Sequence, residues 1–156
     1  MAGVPLYATS VQPEWVDYNG HAHESRYLQV FGDATDGVLA RIGVDEAYLD
    51  AGRSYYTVET HLSHLDEASA GDELEVATQL LAANDKRLHL FHEMRRNGTV
   101  VATAEQMLLH VDTAAGRTTP ADGRVRRRVA ELAARHATLP RPERAGRAIG
   151  SGLASA

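Results

Sequence analysis

The chain has 156 residues, 44% of them hydrophobic, and no cysteine; this fits one globular domain and excludes a disulfide framework or a thiol nucleophile. Residues 1–112 hold 18 Asp+Glu against seven Lys+Arg, a net of −11, whereas residues 113–156 carry a net of +6. An acidic body argues against a nucleic-acid groove, and no apolar run is long enough to span a bilayer, so neither nucleic acid nor membrane is expected as a partner. The opening MAGVPLYATS lacks a basic n-region and an apolar h-region, so no secretory signal is expected and the cytoplasm is the default compartment.

Taken in order, YATSVQPEWV (7–16) reads as a first strand, interrupted by Pro13 and therefore at an edge. Asn19-Gly20 marks a turn. From about Glu24 to Ile42 the pattern is helical, with Tyr27, Val30, Phe31, Ala34, Val38 and Arg41/Ile42 on one face. Gly32 and Gly37 lie inside it, at about 1 kcal/mol each against Ala, which leads us to expect a sheet packed very close to the helix. Gly43 then stops the helix. Four strand-like stretches follow, 54–65, 72–83, 86–96 and 100–112; Asn97-Gly98 is the strongest hairpin signal, and such short turns imply antiparallel neighbours. In 100–111 both faces are half apolar, so part of the outer face or an edge should be covered, most simply by another subunit. A last amphipathic helix covers about 124–136. The expected organisation is a domain over 1–120, a helix over 121–138 and a disordered tail over 139–156. The basic tail could contact an anion; a solvated helix is the plainer reading.

The junction WVDYNGHAHES places Asp17, His21, His23 and Glu24 where strand gives way to helix, which points to an active site. Asp17 read alone is equally a turn-former or helix cap ahead of Asn-Gly. A helix N-terminus offers unpaired N–H groups to a developing oxyanion, and Gly20, Ala22 and His23 lie where those groups should be. Trp15, Tyr18, Tyr27, Tyr55 and Tyr56 are five of the nine aromatics, and aromatic faces attract a quaternary ammonium; Tyr27 sits on the apolar face of the helix and is better explained as core. Glu24 or Glu59 would add Coulomb attraction, and Glu59 shares a strand face with His61. Among the loop cations Arg53, Lys86, Arg87, Arg95 and Arg96, the hairpin pair Lys86 and Arg87 is the best candidate for phosphate. The eight histidines invite a metal reading, but His61/His64 and His89/His92 are spaced i, i+3 on strands and point to opposite faces. There is no HExxH, so no metal and no cofactor is expected. No P-loop, dinucleotide fingerprint or G-x-S-x-G elbow is present.

The order of strand, glycine-bearing helix and four antiparallel strands resembles the hotdog fold, an α+β class in which a curved antiparallel sheet of about five strands wraps a long central helix, here with a C-terminal helix added. D-Y-N-G-H (17–21) followed by R-Y-L (26–28) resembles the D-x-x-G-H…R-Y segment of acyl-CoA thioesterases of the 4-hydroxybenzoyl-CoA thioesterase type. RYLQVFGDATD (26–36), SYYTVETHLSHL (54–65), KRLHLFH (86–92) and ATAEQMLLHVD (102–112) are similar, closer still, to the thioesterases that accompany carnitine dehydrogenase and act on betainyl-CoA. The resemblance covers roughly residues 7–112.

It implies that Asp17, with His21 beside it, activates water or attacks the thioester carbonyl. On the chemistry of the aromatic and acidic side chains above, Trp15, Tyr18, Asn19, Glu24, Tyr55, Tyr56, Glu59 and His61 are expected to meet the acyl group; the resemblance implies a homodimer or homotetramer with its site between subunits. Another short-chain or aryl acyl-CoA is the alternative substrate, and a non-catalytic acyl-CoA-binding module the alternative class. An enoyl-CoA hydratase is disfavoured because the Asp-x-Asn-Pro-x-His motif is missing. Many relatives carry Asn two residues after the motif His, where this chain has His23.

Overall fold

A computed structural model describes residue 4 and residues 6–151. Strand β1 (Leu6–Ser10) is followed by a 3-10 turn at Pro13–Trp15, helix α1 (Glu24–Arg41), a short helix α2 (Glu46–Asp50) and strand β2 (Arg53–His64). Strands β3 (Glu73–Ala83), β4 (Arg87–Arg96) and β5 (Thr99–Asp112) form a meander; β6 (Arg117–Thr118) and helix α3 (Gly123–His136) close the chain. The sheet is antiparallel in the order β1-β3-β4-β5-β2, with β6 paired to β5.

Helix α1 buries Tyr27, Val30, Phe31, Ala34, Thr35, Val38 and Leu39, a 3.6-period stripe that Val76, Leu90, Met94, Ala102 and Ala104 cover from the sheet. Its end is a Schellman motif: Gly43 has φ +98°, its N–H donates to Ala40 O, and the Val44 N–H donates to Leu39 O. At the β4–β5 hairpin Asn97 and Gly98 both have positive φ, as a type I′ turn requires.

Three expectations change. The first strand stops at Ser10, because Pro13 starts a helical turn. Gly32 and Gly37 lie off the buried stripe, and a Cβ on either would meet nothing within 4 Å, so the sheet is not what the glycines admit. Residues 139–151, expected in the disordered tail, run as turns across the sheet face opposite α1. There Pro140 O accepts from Gln79 Nε2 and the Gly146 N–H donates to Glu105. The remainder of that expectation, residues 152–156, lies outside the described residues. This crossing covers part of the outer face, as the weak alternation in β5 suggested: Glu105 and Met107 of β5 face the segment, and Gln79 of β3 and Phe91 of β4 on the same face are buried.

Two polar clusters tie the layers together. His92 is fully buried; its Nε2–H donates to Gln106 Oε1 at 3.0 Å and its Nδ1 accepts from the Thr78 hydroxyl at 2.8 Å. The Thr35 hydroxyl of α1 lies 2.7 Å from the same Gln106 oxygen. His110 gives its Nδ1–H to Thr119 O at 2.7 Å and accepts from the Tyr48 hydroxyl at 2.7 Å, joining β5 to α2. At the far side, β1 pairs only with Glu73–Ala77 of β3; beyond it α3 packs on β3, and His136 Nδ1 accepts the Leu80 N–H at 2.9 Å.

Candidate active site

Asp17 sits in a small closed loop. Val16 and Ala22 form an antiparallel bridge, the Asp17 N–H donates to His21 O at 2.9 Å, and the Gly20 N–H donates to Asp17 O at 3.0 Å. Gly20 takes φ +80°, which a side chain would resist. Asp17 Oδ1 accepts the N–H groups of Asn19 at 2.8 Å and His21 at 3.3 Å. Asp17 is therefore the turn-former that its sequence context suggests, and the structural task uses one carboxylate oxygen. Its other oxygen, Oδ2, meets no donor among the described residues. The loop is sewn to the segment after β2: the Ala22 N–H donates to Ala68 O at 2.7 Å, and His21 Nε2 lies 3.1 Å from the Glu67 carboxylate.

Helix α1 starts directly after this loop, with His23 as N-cap. The backbone donors expected to receive an oxyanion are already committed: Gly20 to Asp17 O, Ala22 to Ala68 O and His23 to Trp15 O. The closed loop consumes them, since a tight turn must satisfy its own backbone. One position further, the Glu24 N–H at the first helical position meets no acceptor among the described residues and carries the positive end of the 18-residue helix. Of these backbone donors the Glu24 N–H is thus the one left open to a ligand, whereas Gly20, Ala22 and His23, expected in that role, are engaged within the fold.

The other candidates divide by position. Trp15 is half-buried beside the loop, with the Arg26 guanidinium 5.9 Å from its ring centroid; Tyr18, Asn19 and Glu24 are exposed on the loop and first turn. Tyr27 is core, its hydroxyl accepting the Ala68 N–H, and burial raises its pKa. Tyr55 and Tyr56 lie toward the opposite end of β2, roughly 27 Å of strand from His64, which leads into the loop. Tyr55 is buried edge-on to His110 at 5.0 Å, and burial pushes its hydroxyl well up. One chain alone does not assemble the aromatic cluster. Lys86 and Arg87 stand at the far end of β4 from Arg96, which reaches the loop side through Asp66.

Glu59 and His61 do share a face, but it is the outer one. With His89, Glu105 and Met107 they floor a cavity of about 630 Å³ roofed by Gly146–Ile149 of the C-terminal segment. Burial raises the Glu105 carboxyl, yet the Gly146 N–H and His89, 2.7 Å away, outweigh it and hold the group below its ordinary value. His61 and His64 point to opposite faces, as do His89 and His92: His64 packs on Tyr27, and His92 lies under α1. Glu67 as partner of His21, and the side-chain cap of His23, had no sequence signal. The first is 46 residues away, and His is not among the preferred N-caps.

A curled antiparallel sheet around one long helix, with a carboxylate loop at the helix start, defines the hotdog class. Residues 11–129 match the Thioesterase-like superfamily, and the chain belongs to that family. Among its relatives is a betainyl-CoA thioesterase of Pseudomonas aeruginosa, 48% identical over 147 residues, with 92% of each chain covered. An L-carnitine dehydrogenase/betainyl-CoA thioesterase of Rhizobium meliloti is 51% identical over 93% of this chain, which spans only 30% of that longer protein. A Pseudomonas putida structure classed as a candidate thioesterase superposes with a TM-score of 0.80 at 36% identity, covering 94% of both chains. A Staphylococcus aureus protein solved in complex with CoA shares the fold, with a TM-score of 0.87 at 24% identity over 94% of each chain. No helix among the described residues is long and apolar enough to cross a membrane.

Proposed function

We propose that the protein hydrolyses betainyl-CoA to free betaine and CoA. The observation that carries this reading is the junction itself: a carboxylate with one oxygen unengaged, one turn of chain before an unpartnered N–H at a helix start. The thioester oxygen would lie on the Glu24 N–H, where negative charge developing on it is favoured by the helix end. Asp17 either draws a proton from water as the water adds to the carbonyl carbon, the C–S bond then breaking and that proton passing to the departing CoA sulfur, or attacks the carbon itself. In the second route the C–S bond breaks to leave an Asp17 mixed anhydride, the CoA thiolate takes a proton from solvent, and water hydrolyses the anhydride to betaine and free Asp17. His21 orients the loop through Glu67. The segment around the loop is acidic, Glu14 and Glu24 flanking Asp17 in sequence and Glu67 meeting its His21 at 3.1 Å, and this suits a permanently cationic acyl group.

Thiol release from a panel of acyl-CoAs tests the proposal. Betainyl-CoA is expected to exceed its neutral isostere by at least about tenfold in kcat/KM, the size of one good cation contact. Preference for a neutral or aryl ester would keep the thioesterase and discard the cationic pocket. Binding without thiol release would point to a non-catalytic module.

The working unit we infer is a pair of chains joined at β2. This edge strand exposes Tyr56 (52%) and Val58 (55%), with a bulge between Thr57 and Glu59. Two antiparallel copies would bring the Tyr56 end of one β2 beside the His64 end of the other, and so an aromatic ring toward the neighbour's Asp17 loop. Val58→Asp, which buries an unpaired charge in that seam, is expected to give monomers by sedimentation and to lower turnover by more than about tenfold. A monomeric native protein with full activity would overturn the pairing.

A further inference from the structure

The first turn of α1 is held by an imidazole. His23 has φ −59° and ψ 144°, outside the helix, and its ring Nδ1 accepts the Ser25 N–H at 3.2 Å, with Ser25 Oγ a further 2.9 Å neighbour of the same nitrogen. Its own N–H is fixed on Trp15 O at 2.9 Å, and its carbonyl takes the Arg26 N–H at 2.9 Å. Nδ1 thus fills the acceptor role that an N-cap side chain plays toward the second helical N–H. The residue that caps a helix decides where the helix begins, and here it decides that Glu24 is first and presents its N–H outward.

We propose that the His23 side chain is a positioning residue for thioester hydrolysis. It acts through Ser25 and the first turn rather than on the substrate, and keeps the Glu24 N–H where the carbonyl oxygen must lie. The inference rests on the proposed thioesterase activity. What matters is an acceptor of the right reach, so Asn, a strong N-cap, should substitute for it, whereas Ala and the longer Gln should not.

The experiment compares kcat and KM of the native protein, His23→Asn, His23→Ala and His23→Gln on the best acyl-CoA, with far-UV circular dichroism to verify folding. Loss of the cap is expected to lower kcat by about tenfold in the Ala and Gln variants with KM changed less than about twofold, since the donor serves the transition state; Asn should stay within about threefold of native. Native kcat in Ala and Gln overturns the inference, as does an Asn variant as slow as Ala, which would make the ring itself a reacting group. A change confined to KM overturns it too. If Ala alone misfolds, Gln and Asn still decide. No thiol release from the native protein on any ester would defeat the thioesterase reading, and this inference with it.

Discussion

Asp17→Asn is expected to lower thioester turnover by about 10²–10⁴-fold, the usual worth of a positioned general base, and to leave the fold intact. The substitution is chosen for what it preserves. The Asn side-chain oxygen can still accept from the N–H groups of Asn19 and His21, which in the native loop bind Asp17 Oδ1 at 2.8 and 3.3 Å. Only the charge and basicity of the second oxygen are lost. Single-turnover measurement of thiol release, beside a thermal melt, separates the two roles. A variant that melts like the native protein but hydrolyses at the native rate would reduce Asp17 to a turn-former.

Acidification from pH 7 to 4 is expected to cost the fold roughly 3 kcal/mol through His92. Burial lowers this imidazole from 6.5 to about 4. Between those values the unfolded chain binds a proton that the folded chain refuses. The contribution is therefore whole above pH 6.5, shrinks as the pH falls, and has gone by about 4. His110 is lowered by burial as well and acts in the same direction. Lowered carboxyls such as Asp45 and Glu105 lose their contributions below their ordinary values of 3.8 and 4.5, largely beneath this window. Urea midpoints at pH 7, 5.5 and 4 measure the effect; a midpoint that does not move would show that His92 opens to water before it titrates.

Most of the fold was legible because its signals are local. The stripe of Tyr27, Val30, Phe31, Ala34 and Val38 marks α1, and Asn97-Gly98 pins the β4–β5 turn. The Asp17 loop was marked in the sequence by Asn-Gly and its motif. The donor geometry around it was less legible: which backbone N–H remains free depends on bonds to Trp15 O and Ala68 O, and neither follows from spacing. Glu59 and His61 share a face by alternation, as expected, but alternation does not say which face. Only the register Thr60↔Gln106, with Gln106 turned toward Thr35 of α1, assigns them to the outside. The tail escaped notice because a Pro- and Gly-containing stretch can be ordered by partners far away in sequence, here Gln79 and Glu105.

The His136–Leu80 bond bears on how such a sheet limits open-ended pairing with further chains. A row of unpaired strand N–H groups is a template on which further chains can add without limit. Here β1 occupies five residues of that row, and α3 lies over the rest of β3, with an imidazole filling the Leu80 donor. The open row on that side is thereby cut to the five residues of β1, too short a template for a stable added strand. The 12-residue β2 offers the long edge, and two copies that meet there antiparallel use up each other's row, whereas two long edges on one particle would extend into fibres.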